Sequence, residues 1–425
     1  MRSTAASRRG TGPDSSTTSP PPASDAAGAS RPVPDAAASV GGDAPAPAVS
    51  VGAVAQAALT NNIADADAPG VDVLDLASGA ALARLELDGP ARLSATDGGR
   101  YVMAGQADHD TVAIIDGGSW SEPHGDHRHH HTAAPAVATS VDGARPAHLV
   151  SHDDTALVFF DGDGAAEIID LAALADGDTA TVGSVDTGTP HHGVAVIFAD
   201  HILSTIPSED AEEGPIGVAV RHGDEIEAEF PECPGLHGEL VTDAVAAFAC
   251  DDGVLAITAD GQWRSAKIAY PDDDGRLWTL AGAAELDWAA GAASQSGPPY
   301  GALPSVVIVD LAGGDARAVE TPAPVFAVGV EPGTRTVVAL HTDGTLSHVD
   351  PVAGEVVATT GEVVEPFEVD YEQTLPALVL AGGHAYVSDP AVATVTELHV
   401  ADGLEVEETI ELPVTPGSIA VVGAE

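Results

Sequence analysis

The sequence TPHHGVAVIFADHILST at residues 189–205 is echoed by CPGLHGELVTDAVAAFACDDGVLAI at residues 233–257. Each copy begins with a Pro and a His-Gly pair, and continues into an apolar run, a short turn and a second apolar run. A third copy, RPAHLVSHDDTALVFFD, occupies residues 145–161. This part of the chain is therefore built from three successive repeats, each with at least two short strands.

The repeat extends along most of the chain. Short β-rich runs are separated by Asp-Gly or Gly-Gly, which suit tight hairpin turns because these turns need positive φ. A Pro precedes an apolar run at intervals of 56, 44, 44, 90, 52 and 40 residues. These prolines are Pro90, Pro146, Pro190, Pro234, Pro324, Pro376 and Pro416. The interval of 90 is twice 45 and indicates one unmarked start, near Leu277.

A period of about 40–50 residues with about four strands per unit is typical of a β-propeller. The starts predict an all-β propeller with eight blades, or seven if the segment 270–300 is an insertion. A pair of β-sandwiches is the competing fold, but it does not explain one sustained period. The last start, Pro416, supplies a single strand. We expect residues 50–88 to complete its blade, so that N- and C-terminal strands close the ring without a free sheet edge.

The composition separates a terminal segment from this domain. Residues 1–48 are rich in Ser, Pro, Ala and Gly, which predicts a disordered tether before a propeller domain at residues 49–425. The tether has no apolar segment of the kind found in signal peptides, so no export signal is visible in it. Aromatic residues are only 4% of the chain, so the core must consist mainly of Ala, Val, Leu and Ile.

The charge limits the partners. The 66 acidic and 15 basic residues give a formal net charge of −51, which repels nucleic acid and anionic lipid and attracts cations. Solubility in a salty or acidic habitat is the other explanation of this charge. No apolar run reaches the ~20 residues that a membrane span needs. We expect no nucleic-acid partner, no direct membrane insertion and a monomer.

Three histidines occupy nearly the same place in the three repeats. His148 and His192 lie two residues after their Pro, and His237 lies three after its own. The first strands of neighbouring propeller blades line one channel, so these imidazoles should meet at its mouth and form a three-nitrogen metal site with an open fourth position. Glu239 is either a fourth ligand or an orienting partner of a His. A slip of one residue would replace His192 by His191. Structural histidines that bond neighbouring loops are the alternative.

A second histidine group is the segment HGDHRHHH at residues 124–131. It lies inside the widest single repeat interval and predicts a His-rich loop at residues 121–133. Such tracts bind divalent transition metals loosely and in many geometries; an inert polar loop is the alternative. Its candidate ligands are His124, His127, His129, His130 and His131.

The two cysteines flank the predicted strand pair that follows His237. Cys233 and Cys250 would be free thiols in a reducing cytosol, whereas outside it they are able to form a disulfide. If the strand turns at Thr242–Asp243, both cysteines fall near the open end of one hairpin. Their spacing is not C-x-x-C, so neither a zinc ribbon nor a thioredoxin motif is indicated.

Together, HGDHRHHH, PAHLVSHDDTALVFFDGDG, PHHGVAV, CPGLHGE and FACDDGVL resemble the AztD-type zinc metallochaperones, which accompany bacterial zinc ABC importers. The resemblance covers about residues 50–425, and its most specific motifs lie between His124 and Leu255. It implies a β-propeller that works outside the cytoplasm, in the periplasm or at the cell surface. It also implies direct transfer of zinc to the solute-binding protein of the importer.

The resemblance also implies roles for particular residues. The His-rich loop and the motifs of His148, His192 and His237 would carry Zn²⁺, and Cys233 and Cys250 would form a disulfide. The chain departs from the family in its long N-terminal segment without a visible signal and in its unusually negative charge.

We therefore expect a zinc carrier and not an enzyme. Two other functions are compatible with the same residues. A three-histidine metal with an open position is able to activate water, as in a metal-dependent hydrolase or lactonase, although Glu239 is the one obvious general base. A scaffold propeller that binds proteins and has incidental histidines is the second.

Overall fold

The computed structural model describes residues 60–423, apart from residues 67, 125–126, 179, 211–213, 224, 273–274 and 298–299. Within these residues the chain forms eight four-stranded antiparallel sheets, arranged as the blades of a β-propeller. The eight-blade prediction is confirmed. The predicted tether at residues 1–48 lies outside the described residues.

The strands are numbered in chain order. From the innermost to the outermost strand, blade 1 contains β34 (Pro416–Val422), β1 (Thr60–Asp65), β2 (Val71–Asp75) and β3 (Ala80–Leu85); blade 2 contains β4 (Arg92–Ala95), β5 (Tyr101–Gln106), β6 (Thr111–Asp116) and β9 (Ala136–Asp142); blade 3 contains β10 (Pro146–His152), β11 (Thr155–Phe160), β12 (Ala165–Asp170) and β13 (Thr181–Asp186); blade 4 contains β14 (Ala195–Phe198), β15 (His201–Ile206), β16 (Gly217–His222) and β17 (Glu225–Phe230).

The remaining blades follow the same order. Blade 5 contains β18 (Glu239–Val241), β19 (Ala246–Cys250), β20 (Gly253–Thr258) and β21 (Arg264–Ile268); blade 6 contains β22 (Gly275–Leu277), β23 (Trp288–Gln295), β24 (Ala302–Asp310) and β25 (Asp315–Glu320); blade 7 contains β26 (Val325–Glu331), β27 (Thr336–His341), β28 (Leu346–Asp350) and β29 (Glu355–Thr359); blade 8 contains β30 (Leu378–Ala381), β31 (His384–Asp389), β32 (Thr394–His399) and β33 (Glu405–Glu411).

Blade 1 closes the ring as predicted. Its innermost strand comes from the C-terminal end of the chain and pairs with β1, with Ile419 opposite Ile63 and Val422 opposite Thr60. β1 then pairs with β2, and β2 with β3. The unmarked start near Leu277 is β22, the innermost strand of blade 6.

The segment predicted as a His-rich loop is a two-stranded hairpin instead. Strand β7 (Ser119–His124) pairs with β8 (His127–Thr132), and the hairpin is inserted between the third and fourth strands of blade 2. We call residues 119–132 the His-rich hairpin. A 3-10 turn at Ala107–His109 and a short helix, α1 (Leu171–Ala175), are the helical elements of the described residues. Among these residues no helix combines the length and the apolar character needed to cross a membrane.

The core lies between neighbouring blades. One cluster joins Val196, Leu203 and Val220 of blade 4 to Phe248 and Leu255 of blade 5, and all five are at most 1% exposed. Sheets that pack face to face in this way exclude water over the middle two strands. Small aliphatic side chains fill the narrow spaces, as the low aromatic content predicts.

One buried histidine makes the fold sensitive to acid. His341 is 0% exposed; its Nδ1 lies 3.0 Å from the Ala323 carbonyl oxygen and its Nε2 lies 2.7 Å from Ser347 Oγ. Burial lowers the pKa of His341 below its ordinary 6.5. As the pH falls below 6.5, the unfolded chain therefore binds a proton at His341 that the folded chain does not bind. His341 thus contributes stability near neutral pH, and this contribution is lost on acidification.

We expect a His341→Asn variant to lose about 1–3 kcal/mol of stability at pH 7, because the shorter side chain gives up the buried hydrogen bond between His341 Nε2 and Ser347 Oγ. Its stability should also fall less steeply than that of the wild type between pH 7 and pH 5. Urea unfolding at both pH values measures the two effects, with the exposed His109→Asn as the control. Equal pH slopes for wild type and variant would contradict this role.

Candidate metal centre

The propeller brings His148, His192 and His237 together, as the repeat positions predicted. They belong to three consecutive blades: His148 lies in β10, His192 precedes β14 and His237 precedes β18. One nitrogen of each imidazole lies within 4.8 Å of one nitrogen of each of the others. The Nε2 atoms of His148 and His192 are 3.3 Å apart. We call these three residues the histidine triad.

A β-bulge directs His148 toward the other two residues. In β10, Pro146 pairs with Phe160 but Leu149 pairs with Val158, so the two residues between them face a single partner. A bulge of this kind turns a side chain away from the regular alternation. The outer nitrogen of His148, Nδ1, lies 3.2 Å from Glu239 Oε1. Of the two roles considered for Glu239, this geometry matches the orienting one.

His192 is oriented by the neighbouring blade. Its Nδ1 lies 2.7 Å from Asp161 Oδ2, and the backbone N–H of Gly193 donates to the other oxygen of that carboxylate at 3.3 Å. A Cβ at Gly193 would clash with the ring of Phe159. The small residue of the His-Gly pair therefore lets this backbone pack against blade 3.

The structure distinguishes His192 from His191. His191 Nδ1 lies 2.7 Å from the Thr189 carbonyl oxygen, and its Nε2 lies 2.8 Å from Thr205 Oγ1. Its ring packs edge-on against Phe159. Both nitrogens are thus engaged away from the triad, and His191 is a structural histidine of blade 4.

His237 is held by a backbone carbonyl. Its Nδ1–H donates to the Trp278 carbonyl oxygen at 2.9 Å, which leaves Nε2 as the nitrogen with a free lone pair. A Cβ on Gly238 would lie 2.7 Å from that same oxygen, so the second His-Gly pair also permits a close approach of two backbones. The disulfide between Cys233 and Cys250 and two bonds from Arg276, to Asp251 and to the Gly235 carbonyl oxygen, fasten the loop before His237.

The triad combines imidazoles with different proton affinities. Burial and the neighbouring His148 lower the pKa of His237 to about 4, so this ring is neutral near neutral pH. Burial opposes protonation of His148 too, but the Glu239 carboxylate outweighs it and raises the pKa of His148 above 6.5. A metal ion, which needs neutral imidazole, therefore competes with a proton more strongly at His148 than at His237.

The histidine triad lines a cavity. A cavity of about 310 Å³ is lined by the three histidines together with Arg92 and Arg145. His192 is the most open of the site residues, with 46% of its side chain exposed, against 13% for His148. The cavity leaves room for a fourth ligand beside the ring nitrogens.

The His-rich hairpin presents further imidazoles outside the triad. His130 Nδ1 lies 2.7 Å from Ser121 Oγ, and His131 stacks on Trp120 at 5.1 Å. The rings of His129 and His131 are 6.4 Å apart. The side chains of His124 and His127, which the sequence also predicts as ligands, lie outside the described residues.

Two orienting groups were not predicted from the sequence. Asp161 belongs to the DGDG stretch, whose sequence is typical of an ordinary hairpin turn. The one signal for its role was that it directly follows β11, the strand that pairs with β10. The Trp278 carbonyl has no side-chain signature at all. Both act from a neighbouring strand or blade, which a pattern along the chain does not reveal.

We expect a Glu239→Gln variant to bind zinc about 10–100-fold more weakly at pH 8, because the ring of His148 loses its orienting carboxylate. Its affinity should decline at lower pH than that of the wild type, since the carboxylate raises the pKa of His148. Competition with a chromophoric chelator at several pH values measures both effects. The exposed Glu411→Gln serves as the control. An unaltered affinity and pH profile would exclude the orienting role.

Known proteins similar to this chain were found by sequence and by structure. The zinc chaperone AztD of Citrobacter koseri is 29% identical over 374 residues, which cover 85% of this chain and 86% of that protein. The crystal structure of Citrobacter koseri AztD matches with a TM-score of 0.78 at 27% identity, over 86% of this chain and 98% of that one. The structure of apo AztD from the same organism matches with a TM-score of 0.77 at 26% identity, over 87% and 99%.

A more distant match shares the fold alone. The dihydro-heme d1 dehydrogenase NirN, in complex with DHE, has a TM-score of 0.58 at 12% identity, over 86% of this chain and 75% of that one. No protein-family model matches the chain. The resemblance to the AztD-type zinc chaperones that the sequence motifs indicated is confirmed, by sequence and by fold, over most of the chain.

Proposed function

We propose that this protein is an extracytoplasmic zinc metallochaperone that passes Zn²⁺ directly to the solute-binding protein of a zinc ABC importer. The observation that carries the proposal is the histidine triad. Each of its rings is oriented through Nδ1, by Glu239, Asp161 or the Trp278 carbonyl oxygen. This leaves Nε2 of all three rings for a metal ion, and three neutral imidazoles are a familiar ligand set for zinc.

A carrier must release its ion as well as hold it. Three protein ligands leave the fourth position of a tetrahedral zinc ion open toward the cavity. A ligand from the partner enters there and the histidines leave one at a time, so the ion is never free in water. Exposed His192 is the first to leave, and the more buried His148 and His237 follow. The His-rich hairpin supplies weaker imidazoles that collect zinc and pass it on.

The geometry favours a carrier over a hydrolase. A water-activating zinc site needs a general base beside the open position. The Glu239 carboxylate instead faces Nδ1 of His148, the nitrogen directed away from the triad. The names of the Citrobacter koseri relatives also support a chaperone.

The disulfide supports a location outside the cytoplasm. Disulfides such as Cys233–Cys250 persist in oxidising compartments and are rare in the cytosol. The net charge of −51 adds a field that concentrates cations near the surface. The proposed working form is a monomer with Zn²⁺ as cargo, in contact with a protein partner and not with nucleic acid or membrane.

A transfer assay tests the proposal. The zinc-loaded protein is mixed with the metal-free solute-binding protein, in the presence of a chelator that captures free zinc faster than either protein does. Direct transfer predicts that the partner gains zinc while the chelator does not, and that the rate rises with partner concentration. Zinc that appears in the chelator first, at a rate independent of the partner, would refute direct transfer.

A further inference from the structure

Two groups of histidine and glutamate lie on the outer strands of blades 4 and 8, away from the histidine triad. In blade 4, His201 Nε2 lies 3.2 Å from Glu227 Oε2 and 3.4 Å from His222 Nδ1. In blade 8, His384 Nε2 lies 3.2 Å from Glu407 Oε2 and 3.9 Å from Glu397 Oε1. Within each group the donor atoms lie within 4.8 Å of one another. We call them the blade 4 cluster and the blade 8 cluster.

The two clusters use equivalent positions of their blades. Each places a histidine at the first residue of the second strand, His201 or His384. Each blade also ends its third strand with a histidine: His222, which belongs to the blade 4 cluster, and His399, whose ring lies beside the blade 8 cluster. The paired rings are 5.0 Å apart in blade 4 and 5.1 Å apart in blade 8.

One glutamate of each cluster, Glu227 or Glu407, is the extra residue of a β-bulge. In blade 4 the pairing passes from Val220↔Ala228 to Arg221↔Ile226 and skips Glu227. In blade 8 it passes from Glu397↔Glu408 to Leu398↔Val406 and skips Glu407. The bulge turns each carboxylate toward the histidine two strands away.

These blades depart from the pattern of the others. In five of the other blades the third strand ends with an aspartate whose carboxylate accepts backbone N–H groups of the following turn. Those residues are Asp75, Asp116, Asp170, Asp310 and Asp350. Blades 4 and 8 have His222 and His399 at this place, and blade 5 has Thr258.

The atoms that face inward in each cluster are suited to metal binding. His201 Nδ1 donates to the Ala199 carbonyl oxygen at 2.7 Å, and His384 Nδ1 donates to the Gly382 carbonyl oxygen at 2.9 Å. Both rings thus keep a lone pair on Nε2. Ligand atoms of a tetrahedral zinc ion with bonds of 2.0–2.1 Å stand about 3.3–3.4 Å apart, close to the spacings in the clusters.

Neighbouring side chains fix the carboxylates. Trp263 Nε1–H donates to Glu227 Oε2 at 3.3 Å, and the Tyr386 hydroxyl donates to Glu397 Oε1 at 3.0 Å. Outer hydrogen bonds of this kind orient carboxylate ligands in metal sites. A bound metal cation would also neutralise part of the negative charge of the surface.

We propose that the blade 4 and blade 8 clusters are two auxiliary sites for divalent transition-metal ions such as Zn²⁺. They lie at the far end of the blades from the triad, because His192 precedes β14 whereas His201 follows it. Each site takes its ligands from three adjacent strands of one blade. This inference does not depend on transfer of zinc to a partner.

The test uses a variant in which the triad and the histidines of the hairpin are all replaced by alanine. The residues replaced are His124, His127, His129, His130, His131, His148, His192 and His237. Equilibrium dialysis against Zn²⁺, with metal quantification, should still find about two ions per chain. Adding His201→Ala with His222→Ala should remove one ion, and adding His384→Ala with Glu407→Gln should remove the other.

Control variants distinguish zinc bound by the clusters from zinc attracted by the general negative charge of the surface. Glu229→Gln and Glu411→Gln each remove one carboxylate from β17 or β33, outside the clusters, and should leave the zinc count unchanged. Co²⁺ absorption of the otherwise unaltered protein, with and without each cluster, gives a second measure that does not require the multiple variant to fold. A zinc count and a Co²⁺ spectrum that are indifferent to loss of the clusters would overturn the proposal.

Discussion

Replacing His148, His192 and His237 together by alanine should weaken tight zinc binding by at least about 1000-fold, which corresponds to roughly 4 kcal/mol. The three rings converge within ligand distance of one another, and each is held by a partner on its outer nitrogen. Without the rings, the groups that orient them, Glu239, Asp161 and the Trp278 carbonyl oxygen, have no imidazole to hold toward the ion. Competition titration against a high-affinity chelator measures the loss.

The adjacent histidines of blade 4 provide a matched control for this prediction. His192→Ala alone should weaken zinc binding strongly, whereas His191→Ala should leave the affinity near that of the wild type. Both variants remove one imidazole from the same loop, but His191 is engaged with Thr189 and Thr205. Comparable losses in both variants would contradict the assignment of His192.

Removing the disulfide should have the second large effect. Cys233 and Cys250 are 17 residues apart, and the loss of a cross-link over such a loop costs about 3 kcal/mol in the chain-entropy account. A Cys233→Ala, Cys250→Ala variant should therefore unfold at lower urea concentration. It should also bind zinc more weakly, because the bond anchors the loop that carries His237.

Two measurements separate these effects. Urea unfolding without metal measures the stability alone. Zinc titration without urea and at low temperature measures the affinity of the site while the protein is folded. Wild-type protein treated with a reductant should behave as the variant does. A variant as stable as the wild type would show that the loop is held without the bond, chiefly by Arg276 and its contacts with Asp251 and Gly235.

The repeat spacing was sufficient to predict the propeller because each blade begins with the same chemistry. A proline before an apolar run marks seven of the eight blades, and the unmarked blade 6 follows from an interval of twice the period. The His-rich hairpin was predicted as a loop, since a run of histidines hides strand periodicity. Its pairing depends on β7, in which Trp120 stacks on His131.

The triad was predictable in part. Equivalent positions in successive repeats predicted that His148, His192 and His237 meet, because a closed ring converts sequence period into proximity. The choice between His191 and His192 depends on one residue of register, which only the backbone path at Pro190 decides. The placement of Glu227 and Glu407 in the blade 4 and blade 8 clusters depends on β-bulges, which shift a side chain without a clear mark in the sequence.

The central claim is that the triad holds the zinc ion, and a crystal structure of the zinc-loaded protein tests it most directly. Anomalous scattering at the zinc edge should place an ion about 2.0–2.1 Å from Nε2 of His148, His192 and His237. Their Nδ1 atoms should keep the contacts with Glu239, Asp161 and the Trp278 carbonyl oxygen. A fully loaded protein in which these three rings bind no zinc would contradict the account.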